Sequence, residues 1–346
     1  MKSKRIIVLA TVFVILVTTI YLSGIASPSH QSNNHRPFQH ESFFSSPSSK
    51  PSEKRNSVDT DSNVRSEART YLQAARDIYR RHGVVLFTMV NDAYFPFTAS
   101  WCCNTAPMTN VHHRALFLTT DRTTGQRLTK LWPDVTVVTL NSSQYAGSQE
   151  YSKAGYVRMM VERTRYILHL LEAGVRLLLF EVDCVWLSDP LPHVLTQQAA
   201  GDIVGTYVSG TSLTAGGFLL LNPTTATVKL WRRLTDMMDS LYRRLEKREN
   251  FAAVSEGDND QQYFSRLIRE KFAGIKVVYL TSSLFPDGKW YRLTDEQRSL
   301  NQRPLIINNN WVVGNEAKIK RAKTYGHWFW NEREGSCNST ALQHLF

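Results

Sequence analysis

Four short, predominantly apolar runs constrain this chain more than any other feature: residues 84–90, 115–121, 135–140 and 176–180. A strand buried on one face alternates apolar and polar residues, whereas a strand covered on both faces reads as a near-continuous apolar run. Helix-like stretches lie between the runs. Residues 71–82 stop at Gly83, residues 122–132 separate the second and third runs, and residues 155–173 precede the fourth. This last stretch carries apolar residues at 157, 160, 161, 167, 168, 170 and 171, and Gly174 follows it as a helix-terminating residue should. Helices alternating with doubly buried strands predict an α/β fold with a mostly parallel sheet covered on both faces. Ligands in such sheets bind beyond the carboxyl ends of the strands. The residues after Phe180 are therefore the first place to look for chemistry.

The amino terminus predicts a membrane anchor. Residues 1–5 carry Lys2, Lys4 and Arg5, and residues 6–26 carry no charge. Such a span, at about 1.5 Å per residue, gives a helix of roughly 30 Å, enough to cross a bilayer core. A cleaved signal peptide is the alternative, with Ser23-Gly24-Ile25-Ala26-Ser27 as its small-residue site. Cations ahead of the span orient it with a cytosolic tail, a single-pass type II arrangement suited to the Golgi. Residues 27–69 are rich in Ser, Pro, Asn and His, without apolar periodicity, and read as a disordered stem. Residues 70–346 remain as the luminal domain.

Charge alone suggests a different partner. Forty-one Lys and Arg against 30 Asp and Glu leave a net charge of +11 and a pI near 9.5. A nucleic-acid surface needs its basic residues clustered with aromatics. Here they are scattered, as in Arg232-Arg233, Arg243-Arg244 and Lys318-Ile319-Lys320-Arg321, and a luminal domain would not meet nucleic acid. Four Cys are too few for a disulfide framework. Cys102 and Cys103 are adjacent and ill placed to pair with each other, which leaves a bridge from either to Cys184 or Cys337 open. Asn141 and Asn338 begin N-glycosylation sequons.

The run after the fourth apolar stretch is Glu181-Val182-Asp183-Cys184-Val185-Trp186-Leu187-Ser188-Asp189-Pro190. In extended chain, carboxylates at i and i+2 point to the same side, where only a cation or an ordered hydrogen-bond network offsets their repulsion. The structural alternative is a polar strand end capped by local turns.

This stretch resembles the Asp-x-Asp region of the nucleotide-diphospho-sugar transferase family. Within that family it is similar to the retaining branch of plant and protist α-xylosyl-, galactosyl- and arabinosyltransferases. The resemblance continues in order through Gly216-Gly217-Phe218-Leu219-Leu220-Leu221-Asn222-Pro223 and Asn259-Asp260-Gln261-Gln262-Tyr263-Phe264. It then takes in Phe285-Pro286-Asp287-Gly288-Lys289 and Asn308-Asn309-Asn310-Trp311-Val312-Val313-Gly314 with Lys318 and Arg321. It implies a GT-A fold, a UDP-sugar donor, a glycan or glycoprotein acceptor and a divalent cation, Mn²⁺ or Mg²⁺. By the same resemblance Asp183 is the direct metal ligand, with Glu181 serving the ribose or a metal-bound water. Lys318, joined by Arg321, adds charge at the diphosphate. Thr88 to Asn91 hold uracil and ribose, Gly217 lies against the donor, and Asp260 with Gln261 border the donor sugar. Arg163 either reaches the donor or sits on a solvated helix face, and Asp260 either contacts the sugar or caps a helix.

Two positions depart from the family pattern. Glu181 stands where the family has Asp, and Asn308 where it has a His ligand. Asn308 can still offer a carbonyl oxygen, which suits Mn²⁺ or Mg²⁺. The expectation is an active transferase, with xylose the first candidate sugar and galactose the next. The competing expectation is a catalytically silent glycan- or nucleotide-sugar-binding protein on the same fold.

Overall fold

The computed structural model describes residues 57–346 except 141–144, 146, 148, 150–152, 344 and 346, and the side chains of residues 57–69 lie outside the description. The expected cytosolic tail, the anchor at residues 6–26, most of the stem and the sequon at Asn141 fall outside the described residues. Among the described residues no helix is long and apolar enough to cross a membrane.

Helix α1 (Ser57–His82) opens the described chain. It begins well before residue 71, so residues 57–69, expected as disordered stem, are backbone helix. Next come β1 (Val85–Val90), α2 (Phe95–Thr105), β2 (Ala115–Thr119), α3 (Arg122–Leu131), β3 (Thr136–Thr139), α4 (Ala154–Glu172) and β4 (Leu177–Phe180). The four expected strands are thus present, trimmed by one or two residues at their ends. The second half holds β5 (Val185–Trp186), β6 (Ile203–Gly205), β7 (Phe218–Leu221), α5 (Thr225–Leu245), α6 (Asp260–Arg269), β8 (Val277–Tyr279), β9 (Ile306–Ile307), α7 (Asn315–Thr324), β10 (Trp330–Asn331) and β11 (Ser336–Cys337), with shorter helices between.

Seven strands form the central sheet in the order β3-β2-β1-β4-β7-β6-β8. β7 alone runs against its neighbours β4 and β6, and every other pairing in the sheet is parallel. The apolar runs are explained by two cores, one on each face. Leu86, Phe117, Leu178, Phe180, Phe218 and Leu220 point to one core, with Trp101, Trp186 and Phe329. Val85, Phe87, Leu116, Leu177, Leu179 and Leu221 point to the other, with Ile167, Leu171, Trp231 and Met238 from α4 and α5. Successive strand residues therefore each bury an apolar side chain, at roughly 1.5–3 kcal/mol for a full Leu or Phe.

The helices begin where local chemistry permits. Thr224 accepts the Thr227 amide at the start of α5, and Asn259 accepts the Gln262 amide at the start of α6. A disulfide joins Cys103, on α2, to Cys337, on β11, across 234 positions, while Cys102 and Cys184 are free and buried. β11 pairs with β10, so the bridge staples the carboxyl-terminal hairpin onto α2.

Candidate active site

β4 lies between parallel β1 and antiparallel β7, and Phe180 pairs with Phe218. The Glu181 amide continues that ladder by donating to the Gly217 carbonyl at 2.9 Å. The chain then leaves the strand in a turn, closed by the Cys184 amide on the Glu181 carbonyl at 3.0 Å. Glu181 and Asp183 are therefore not on one side of an extended chain, as their i, i+2 spacing suggested. The Asp183 side chain is 3% exposed and that of Glu181 38%.

Chain crossings complete the site. β5 pairs antiparallel with β9, Val185 opposite Ile307, which carries Asn308 back beside the acidic turn. A Cβ on Gly217 would lie 2.4 Å from Glu181 Oε2 and 3.2 Å from Asn308 Nδ2, so glycine is what lets these two side chains approach the β7 backbone. From α7, Lys318 Nζ donates to Asp183 Oδ2 at 2.7 Å. From α4, Arg163 Nη2 donates to Asp260 Oδ2 at 2.6 Å, and its Nη1 stands 3.7 Å from Glu181 Oε1. Arg163 is thus a buried ion-pair partner rather than a solvated helix residue. Because Asn259 caps α6, the Asp260 carboxylate is left for Arg163. Gln261 Oε1 accepts the Gly216 amide at 3.2 Å, tying α6 to the start of β7.

The electrostatics follow from this packing. Burial and the adjacent Asp183 push the Glu181 carboxyl up, against the pull of Arg163 and Lys318. Burial alone would lower Lys318, but Asp183, with Tyr94 and Glu181, outweighs it and raises the ammonium. The same contest at Arg163 is won by Asp260, Tyr156 and Glu181, which keep the guanidinium charged.

Two of the residues expected at the nucleotide stand differently. Thr88 is buried inside β1 rather than at its end. Asn91, just past the strand, is fully buried, and its Nδ2 donates to the Tyr145 and Gly147 carbonyls at 2.9 and 2.7 Å. Its Oδ1 has no partner among the described residues. Asn91 therefore holds the carbonyls of Tyr145 and Gly147 just past the end of β1. Arg321 meets Asn309 Oδ1 at 2.8 and 2.6 Å and the Asn310 carbonyl at 2.6 Å, so it shapes the 309–310 backbone.

Tyr94 and Tyr156 border the cluster and escaped sequence reasoning. Both hydroxyls are pushed up, first by burial and then by the cluster's carboxylates. A usable signal existed for Tyr156, which lies seven residues before Arg163 and so on the same face of α4.

The donor set for a cation consists of oxygens: Glu181, Asp183 and Asn308 Oδ1, a buried acceptor with no partner among the described residues. That chemistry fits Mg²⁺ or Mn²⁺. Among the described residues, however, no group of three or more His, Cys, Asp and Glu is arranged to hold a metal. Glu181, Asp183 and Asn308 would supply part of a coordination shell of the kind that substrate phosphates complete.

Residues 110–322 match the family model for nucleotide-diphospho-sugar transferases. The chain belongs to that family of enzymes. The UDP-D-xylose:L-fucose alpha-1,3-D-xylosyltransferase 1 of Arabidopsis thaliana is 22% identical over 275 residues, covering 75% of this chain and 74% of its own length. The UDP-galactose:fucoside alpha-3-galactosyltransferase of Dictyostelium discoideum is 25% identical over 214 residues, covering 56% of this chain and 31% of its own. Among solved structures, the glycosyltransferase GlyE of Streptococcus pneumoniae is similar at a TM-score of 0.43 and 14% identity, over 75% of this chain and 62% of that one.

Proposed function

We propose that this family member is a retaining UDP-sugar glycosyltransferase of GT-A type, transferring xylose, or galactose as second choice, to a hydroxyl of a glycan or glycoprotein. The observation that carries the reading is the convergence of Glu181, Asp183 and Asp260 with Lys318 and Arg163 beyond the carboxyl end of β4. Such a site can receive a diphosphate at one end and a sugar at the other. The relatives' names, UDP-xylose and UDP-galactose transferases acting on fucose or fucosides, support the donor class and the order of sugars.

In this reading Lys318 turns its ammonium from Asp183 toward the diphosphate and stabilises the charge that grows there as the bond to the sugar breaks. The electron pair of the broken sugar–phosphate bond leaves with UDP, while the acceptor hydroxyl oxygen forms the new bond to the anomeric carbon and its proton passes to the departing phosphate oxygen. Asp183, Glu181 and Asn308 would hold Mn²⁺ or Mg²⁺, which neutralises leaving-group charge when bound. Arg163 fixes the Asp260 carboxylate beside the donor sugar, and Gln261 holds the Gly216 backbone that leads to Gly217. Thr88 and Asn91, on and just past β1, border the uridine end in this reading. Anchoring by residues 6–26, with the domain in the Golgi lumen, is consistent with the Cys103–Cys337 disulfide, since such bridges persist in oxidising compartments.

The test is UDP release and sugar transfer from UDP-xylose and UDP-galactose by the full chain, with Mn²⁺ or Mg²⁺. Turnover that Asp183→Ala abolishes is expected. Absence of turnover with both donors, together with UDP affinity unchanged in Asp183→Ala, would sink the enzyme reading and leave a silent binding protein. Asn308→His should tighten Mn²⁺ binding in calorimetry by adding an imidazole ligand, and unchanged affinity would mean that Asn308 does not face the cation.

A further inference from the structure

One aromatic residue outside the acidic cluster is held in a way that burial does not explain. Trp311 lies between Asn308 and Lys318, and both ends of that segment are fixed on the site, at Gly217 and at Asp183. Its φ is 62°, a left-handed conformation that a bulky residue rarely adopts. Polar contacts hold it there. Its Nε1 donates to Asp287 Oδ2 at 2.6 Å, and Lys289 Nζ stands 4.1 Å from the ring centroid. Asp287 is buried and also accepts the amides of Ser209 and Lys289, at 2.9 and 3.0 Å. One carboxylate thus ties together three loops. Gly288 permits their close approach, because a Cβ there would come within 2.0 Å of the Asn310 carbonyl.

For all this anchoring, the indole is not buried. Trp311 is 38% exposed and neighbouring Val313 77%. Tyr207, on the loop that carries Ser209, is 51% exposed, with its ring stacked on Tyr279 at 3.6 Å. Loop closure alone would favour Gly or Asn at a positive φ. A rigid ring, fixed at its edge, met on one face by Lys289 and still partly exposed, suits instead a flat partner with an apolar face and a polar rim. A pyranose has that shape, with C–H groups on its faces and hydroxyls at its edge. An indole already immobilised loses little further freedom when such a ring stacks on it.

We propose that Trp311 is the stacking platform for the acceptor sugar, positioned by Asp287 and Lys289. The inference rests on the transferase reading: with the diphosphate at Lys318 and Asp183, the acceptor ring enters beside the segment that those residues anchor.

The experiment uses the full chain, UDP-xylose and UDP-galactose as donors, and the methyl glycosides of L-fucose, D-galactose, D-glucose and D-xylose as acceptors. Trp311→Ala should raise the acceptor KM about tenfold or more, while the donor KM moves less than twofold. Trp311→Tyr should restore most of the loss. Trp311→Gly suits the backbone conformation and should reproduce the kinetic loss, so poor folding of the alanine variant would not decide the matter. Unchanged acceptor KM in both truncations, or a rise in donor KM instead, would overturn the proposal. So would a wild type that releases UDP but transfers to none of the four glycosides. A wild type that turns over neither donor would refute the transferase reading itself.

Discussion

Arg163→Met removes a buried guanidinium that lies against both Asp260 and Glu181, and the cost can be worked from the geometry. The side chains of Arg163 and Asp260 are 9% and 13% exposed and meet at 2.6 Å, with Glu181 at 3.7 Å. At an effective dielectric of about 20, Coulomb's law assigns these separations about 6 and about 4.5 kcal/mol. Most of that attraction offsets the desolvation of three charges. The net cost of breaking a buried pair from one side, about 3–5 kcal/mol, is therefore the expected destabilisation of Arg163→Met. The loss should be smaller in Arg163→Met/Asp260→Asn, because the second change removes the buried charge left without a partner. Urea unfolding followed by tryptophan fluorescence at neutral pH measures all three variants in one cycle. A loss below about 1 kcal/mol in the single variant would refute the reasoning, because that is the worth of a solvated surface pair. So would a double variant as unstable as the sum of the two single ones.

The remaining predictions concern other parts of the molecule. Cys337→Ser should cost about 2–5 kcal/mol, toward the upper end because the bridge spans 234 positions; equal urea midpoints for wild type and variant without reductant would contradict this. Gly217→Ala should lower kcat/KM about 10- to 100-fold, because its Cβ would displace Glu181; kinetics within twofold of wild type would show that the carboxylate needs no such clearance. His327 makes a 3.0 Å contact with the Tyr291 hydroxyl, and burial, then Arg298 and Arg303, lower its pKa from 6.5 to about 4. Below about pH 6.5 the unfolded chain takes up a proton that the folded His327 resists, so stability falls as pH drops from 6.5 toward 4. The full loss is at most about 3 kcal/mol. His327→Gln should flatten that slope in thermal melts, and an unchanged slope would rule the residue out as its source.

The first four strands were legible in the sequence because burial on both faces leaves a direct mark, an apolar run, whereas the two- and three-residue strands β5, β6 and β8–β11 are too short to leave one. The end of β4 was legible as a site because its acidic residues break such a run abruptly. The start of α1 was not, because residues 57–69 lack the apolar periodicity that announces an amphipathic helix. The i, i+2 reading of Glu181 and Asp183 failed for a related reason. It assumed that the strand continues, whereas the turn closed on the Glu181 carbonyl ends it.

Sequence alone determined the local quantities: the first four strands, the glycines that end the helices before β1 and β4, and which carboxylates and cations are available beside β4. Tertiary structure decided which of those charges meet. Arg163 reaches Asp260 across 97 positions and Lys318 reaches Asp183 across 135. Cys103, rather than Cys102, faces Cys337. Periodicity records which face of an element is buried, because burial acts on every residue of that element. Pairing between distant side chains depends on how the elements cross, and in this chain those crossings are set by the antiparallel β7 and by the short β5–β9 ladder.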